Sequence, residues 1–184
     1  MYKNKNVGFT LLEMLLTISI VAILASAASI FMGDIIDKKR LENAAYQIST
    51  DLRLAQSEAI KQNKKIYVSF NYNSDNWCYG LNENQKCDCL TDKLCRISGL
   101  QKIKTNETFK NVTLQKAQFA GKKSYTAFDP VKGFPIADGL KNGSIWLKSE
   151  NELQMAIVIN RLGRIRLCSP NLSDYSNKCP TPPK

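Results

Sequence analysis

Residues 9–32 form a run of 24 in which Glu13 is the only charged side chain. As a helix the run extends about 36 Å at ~1.5 Å per residue, enough to cross the core of a bilayer. Past Gly33 the pattern changes. Leu41, Ala44, Ala45, Ile48, Leu52, Ala55 and Ala59 recur at steps of three and four, with Lys39, Arg40, Asp51, Arg53 and Lys61 mainly off that stripe. No proline or other stop separates the two stretches, and Gly33 is tolerated within a helix at roughly 1 kcal/mol relative to Ala. One helix is therefore expected from about Thr10 to Asn63, about 80 Å long at ~1.5 Å per residue. Its first half is apolar on all sides and suits lipid or a filament core; its second half is amphipathic and should pack on a sheet. The stripe is too short and too rich in Ala for a soluble coiled coil.

After Lys65 the period becomes two. Strands are predicted at 66–70, 77–81, 112–119, 124–128, 144–148, 153–160 and 164–168. Turn chemistry separates several of them, notably Asp129-Pro130-Val131-Lys132-Gly133 and Lys141-Asn142-Gly143. The polar stretch 82–96 reads as a loop and 169–184 as an irregular tail. A long helix followed by antiparallel strands is an α+β arrangement. Four segments result: a leader at 1–8, the apolar helical stretch 9–32, the amphipathic stretch 33–63 and a β-rich domain at 64–184.

Cysteine placement refines that domain. Cys78, Cys87, Cys89, Cys95, Cys168 and Cys179 all lie beyond the apolar run, and an even count in an exported domain implies disulfides. The spacing of the first four is unlike the paired C-x2-C knuckles of structural zinc sites. Cys168 with Cys179 is a natural local pair; the other four allow three connectivities. No His is present among the 184 residues, which excludes imidazole catalysis and His-ligated metals. No nucleophile–base arrangement is visible, so neither an enzyme nor a cofactor is expected.

An ionised Glu inside an apolar run is disfavoured by roughly 3 kcal/mol at the centre of a bilayer, so Glu13 needs a partner. A basic leader with Lys3 and Lys5 ends in Gly8, and no small-x-small cleavage site follows the run. Gly8-Phe9-Thr10-Leu11-Leu12-Glu13 resembles the class III signal of type IV pilins and pseudopilins. The resemblance implies cleavage between Gly8 and Phe9 by a prepilin peptidase, followed by methylation of the new amine. It also implies that Glu13 pairs with the amine of a neighbouring subunit in the filament, and a paired buried charge is tolerable where a lone one is not. Before assembly such a chain is held in the bacterial inner membrane by a single pass, its domain in the periplasm; afterwards it lies in or near the pilus.

The C-terminal hairpin carries the second signal. Residues 154–160 form one arm, Arg161-Leu162-Gly163 the turn, and Arg164-Ile165-Arg166-Leu167 the return. Gly163 can take a positive φ without steric cost. Alternation sets Arg164 and Arg166 on one face, about 7 Å apart at ~3.4 Å per residue, with Ile165 and Leu167 on the other. This spacing resembles that of successive phosphates on a nucleic-acid strand, and Arg161 extends the patch. The order Phe128-Asp129-Pro130, Gly133, Gly143-Ser144-Ile145 and Gly163-Arg164-Ile165-Arg166 resembles the C-terminal half of the FimT/GspH family of minor pilins and pseudopilins, most of all FimT. FimT proteins active in natural transformation carry a G-R-x-R element implicated in DNA binding, which maps onto Gly163, Arg164 and Arg166. The Cys-rich insert and the tail depart from the family pattern.

Charge fits a polyanionic partner. The excess is +10, from 26 basic and 16 acidic residues, and falls to +8 if Lys3 and Lys5 leave with the leader. Lys102, Lys104, Lys110, Lys116, Lys122 and Lys123 can widen the footprint, whereas Tyr175 is a weak candidate for base stacking. The function expected is that of a minor type IV pilin binding extracellular double-stranded DNA non-specifically, through phosphates, for uptake in competence. Two alternatives remain: a structural or priming minor pilin or type II secretion pseudopilin without DNA binding, and an adhesin that makes contact through the Cys-stapled loop.

Overall fold

A computed structural model describes residues 9–73, 76–91, 94–136, 142–176 and 178–181, the side chains of 27–31 excepted. The leader 1–8, with Lys3, Lys5 and Gly8, lies outside the described residues, as does Lys141 of the second predicted turn.

One helix, α1 (Leu11–Gln62), occupies the expected span. Thr10 directly precedes it and accepts a hydrogen bond from the N–H of Glu13 on its Oγ1 at 3.2 Å, the first half of a capping box. Asn63 closes the other end at φ 52°, and Lys64 N–H bonds back to the Ala59 carbonyl. The chain divides into two compact units, Met1–Ile36 and Asp37–Lys184. In the first, every described side chain from Phe9 to Ser26 is exposed. Among the described residues no helix is long and apolar enough to cross a membrane. The expected span 9–32 runs through residues 27–31, whose side chains are outside that set.

In the second unit the helical stripe is buried as its period requires: Leu41, Ala44, Ala45, Ile48, Leu52, Ala55 and Ala59 are all fully inaccessible. Its four alanines allow close approach of the sheets. β1 (Ile66–Tyr72), β2 (Trp77–Glu83), β5 (Ile103–Thr105) and β7 (Tyr125–Phe128) form one antiparallel sheet in the order β5-β2-β1-β7. β6 (Val112–Gln118), β8 (Gly143–Ser149), β9 (Gln154–Ile159) and β10 (Ile165–Cys168) form the other, in the order β10-β9-β8-β6. Inward residues of both sheets join the helix in one core, including Ile66, Val68, Tyr79, Leu81, Ile145, Leu147, Ile157 and Ile159. The Trp77 indole N–H donates to the Val112 carbonyl at 2.9 Å and bridges the sheets. Tyr79 Oη donates to Asp51 Oδ2 at 2.6 Å; burial first, then the neighbouring carboxylate, pushes this phenol far above its ordinary range.

Three short strands escape the sequence pattern. β3 (Arg96–Ile97) and β4 (Leu100–Gln101) make a two-rung hairpin, and β5 pairs with Cys78–Gly80 of β2. Each is too short to show alternation, and the predicted loop 82–96 gives up Asn82 and Glu83 to β2 at one end and Arg96 to β3 at the other.

Each sheet has part of its outer face covered. Cys78 pairs with Cys89 and Cys87 with Cys95, so the insert crosses itself over the first sheet. A Cβ at Gly80 would collide with Cys95 Sγ, so only glycine admits the cover here. Cys168 pairs with Cys179 and folds the tail over Trp146, Ala156 and Val158 of the second sheet.

Candidate nucleic-acid interface

The hairpin turn is built by one asparagine. Asn160 Oδ1 accepts the N–H of Leu162 at 3.0 Å and of Arg164 at 2.8 Å, while its backbone accepts Gly163 N–H and donates to the Arg164 carbonyl. Such an Asx turn sets the backbone of the whole Arg161–Arg164 segment. Arg161 N–H is tied in turn to Asn142 Oδ1 at 3.1 Å.

Gly163 is buried at φ 77°, and a Cβ there would come within 2.5 Å of Gln56 Nε2 and 2.8 Å of the Gly133 carbonyl. Gly133 also has a positive φ, 65°, and faces Gln56, whose Nε2 donates to its carbonyl at 2.9 Å. Two left-handed glycines thus close on one helix side chain and seat the arginine-bearing turn against α1. The turn Asp129–Gly133 and the G-R-x-R element, far apart in sequence, meet at this point.

Arg161, Arg164 and Arg166 are all exposed, whereas Ile165 is buried and Leu167 partly so, as alternation requires. Arg164 ends the turn, one residue before β10 begins. Arg166 Nη2 donates to the Lys178 carbonyl of the tail at 3.0 Å, and among the described residues the rest of its five N–H donors have no partner. An open cleft of about 490 Å³ adjoins it, lined by Gln118, Ser144, Lys178 and Pro180 among others. The tail therefore borders the arginines and adds Lys178 to their surroundings.

Arg53 was not singled out by the sequence. It is exposed on α1, and its Nη2 donates to the Ile165 carbonyl at 3.3 Å, between Arg164 and Arg166 in the chain. The only signal was its place one turn before Gln56, the residue on which the hairpin seats. Among the described residues no carboxylate forms an ion pair with Arg53, Arg161, Arg164 or Arg166; the acidic groups Glu42, Glu58, Glu83, Glu152 and Asp174 pair with lysines instead. Of the lysines expected to widen the patch, Lys122 and Lys123 lie on the other sheet's side, beside Tyr125. Tyr175 lies near Arg166 but is partly buried, its hydroxyl 3.4 Å from that of Tyr46.

At the other end of the chain, Phe9 is 76% exposed and Glu13 lies exposed in the first helical turn, where the helix dipole favours a carboxylate. Among the described residues no group of His, Cys, Asp and Glu could hold a metal ion.

A family model described as prokaryotic N-terminal methylation motif matches residues 3–29. The chain is similar in structure to the type IV minor pilin FimU of Pseudomonas aeruginosa, at 16% identity over 69% of this chain and 91% of that one, with a TM-score of 0.48. A second crystal form of FimU gives 15%, 72%, 91% and 0.49. The minor pseudopilin EpsH of the type 2 secretion system of Vibrio cholerae is similar at 12% identity over 72% of this chain and 99% of that one, with a TM-score of 0.48. No curated protein sequence matches. The model described as Type II transport protein GspH matches residues 44–163, well over half of the chain and ending on the turn glycine, and the protein belongs to the GspH family of minor pilins and pseudopilins.

Proposed function

We propose that this minor pilin binds double-stranded DNA without sequence preference, through Arg53, Arg161, Arg164 and Arg166, and serves DNA uptake. One observation carries the reading: four exposed guanidiniums converge on one hairpin, and none has an acidic partner among the described residues. Guanidinium forks hold phosphates in bidentate fashion, and such contacts position a duplex without reading its bases. Cleavage between Gly8 and Phe9, pairing of Glu13 with a neighbouring subunit's amine, and a single membrane pass before assembly complete the proposal. Retraction of the filament then draws captured DNA inward.

The test is a mobility-shift titration of the full chain in neutral detergent with unrelated duplexes at several salt concentrations. Arg164→Gln with Arg166→Gln should weaken all duplexes alike and reduce the slope of log K against log salt by up to about 1.8, or ~0.9 per phosphate. Unchanged affinity and slope would remove the hairpin from the site. The family description, which names type II transport, favours a second reading as a secretion pseudopilin. No duplex binding, together with a secretion defect on deletion, would select it.

A further inference from the structure

A second cleft opens on the outer face of the β5-β2-β1-β7 sheet beside the stapled insert, with a volume of about 680 Å³. Its floor is built from β1. Val68 and Phe70 point into the core, so Ser69 and Asn71 face outward beneath it. Tyr125 of β7 forms one wall, with Lys86 Nζ 4.8 Å and Lys123 Nζ 5.4 Å from its ring centre. Lys122 completes the rim on a short turn where Gly121 and Lys122 both take left-handed φ values, 68° and 61°. A non-glycine residue in that region is uncommon and concentrates at functional sites.

Two features separate this cleft from a patch of solvated lysines. Ser69 is 8% exposed, and its buried hydroxyl has no hydrogen-bond partner among the described residues. Buried polar groups are almost always paired, so a hydroxyl at the floor of a cationic cleft with no protein partner among the described residues is free to bond a polar molecule seated there. The second feature is Asp88, which lines the same cleft. The Thr91 hydroxyl, the Leu90 N–H and the Asn71 carboxamide hold its carboxyl below the usual carboxylate range, so it stays charged. A fixed carboxylate beside the ammoniums accepts hydrogen bonds from hydroxyl groups, which a run of phosphates cannot donate.

We propose that this cleft binds a saccharide unit carrying a phosphate or sulfate ester. The ammoniums of Lys86 and Lys122 are compact point charges placed to flank a tetrahedral oxyanion. Ser69, Asn71, Ser124 and Asp88 supply the mixed donors and acceptors that ring hydroxyls need, and Tyr125 gives an apolar wall. None of these residues belongs to the arginine hairpin, so the inference stands whether or not that hairpin holds DNA.

The experiment is calorimetric titration of the full chain in neutral detergent with a sulfated disaccharide, glucose 6-phosphate, an unmodified disaccharide and a short DNA duplex. Both charged sugars should bind, and the unmodified one should not. Lys86→Gln with Lys122→Gln should lower their affinity about tenfold, and Ser69→Ala about threefold, each with an unchanged near-ultraviolet dichroism spectrum. Arg164→Gln with Arg166→Gln should leave sugar binding as it was. The inference is overturned if the charged sugars do not bind, if the lysine variant binds them equally, or if the arginine variant loses them. It is equally overturned if the lysine variant loses duplex binding while no sugar binds, which would make the cleft part of a nucleic-acid surface.

Discussion

The insert over the first sheet and the tail over the second solve the same problem by different means. Each hides part of the outer face of an antiparallel sheet, and each is closed by cysteines eleven apart in sequence, Cys78–Cys89 and Cys168–Cys179. The insert adds a second, interlocking bond, Cys87–Cys95, and buries chiefly its own sulfurs with Ile103. The tail has a single bond and buries Trp146, Ala156 and Val158 of the sheet beneath. The chemistry beside each differs as well. Arginines with one tail carbonyl border the second cover, whereas lysines around an aromatic ring border the first. A cover that shields its own cysteines is a closed module; one that shields the sheet is part of the core. The two should therefore fail differently.

The largest effect should come from Cys168→Ser with Cys179→Ser. Removing that loop closure should cost about 3 kcal/mol in urea unfolding and shift Trp emission to the red as the tail leaves Trp146. Cys87→Ser with Cys95→Ser should cost roughly half as much, because Cys78–Cys89 still closes an overlapping loop and neighbouring constraints are not additive. Equal losses would mean that the two covers stabilise by the same mechanism.

Next comes Gly163→Ala, expected to cost about 2–3 kcal/mol through left-handed strain combined with collision against Gln56 and Gly133. Gly99 has the same kind of backbone, φ 78°, but open space around it, so Gly99→Ala should cost only about 1 kcal/mol. Matching values in urea melts would show that the turn is not seated on α1.

Smaller still is the contribution of the helix to the arginine side. Arg53→Gln, added to the Arg164/Arg166 double variant, should reduce the salt slope by about a further 0.9 in the mobility-shift titration. No change would confine binding to the hairpin.

The smallest effect concerns pH. The Ser98 N–H, followed by Lys64, holds the Glu83 carboxyl below its ordinary value, and Asp88 is depressed by its own hydrogen bonds. A depressed carboxylate stabilises the fold above its unfolded pKa, and that contribution is lost as pH falls through the folded value. The amides of Ser98, in the β3–β4 turn, and Leu90, in the insert, which bond to these carboxylates at 2.6 and 3.0 Å, should lose exchange protection on acidification below about pH 4. The Trp146 region under the tail should keep its protection over the same range. Both groups are half-buried at the surface and partly screened by solvent, so global stability should move little.

Much of this arrangement was visible in the order of residues. Seven apolar positions at helical spacing are the seven fully buried positions of α1 from Leu41 to Ala59, because burial of a helix face follows from period alone. Alternation located every strand of four residues or more, and Gly163 announced a left-handed turn. β3, β4 and β5 were missed since two or three residues cannot display a period. The pairing among Cys78, Cys87, Cys89 and Cys95 was open for a related reason: Cys78–Cys87 with Cys89–Cys95 closes loops of much the same length as Cys78–Cys89 with Cys87–Cys95, and only the fold of the insert over Gly80 distinguishes them.

By itself, then, the sequence determined what depends on neighbours along the chain: the helix and its buried stripe, the longer strands, the hairpin and which faces of it carry Arg164 and Arg166. Tertiary structure decided what depends on distant segments coming together. It brought Arg53 to the Ile165 carbonyl, closed Gly133 and Gly163 on Gln56, and left the Ser69 hydroxyl without a partner among the described residues beneath a lysine-rimmed cleft. Local periodicity is written in each turn and strand, whereas those encounters arise only once the core has drawn the helix and both sheets together.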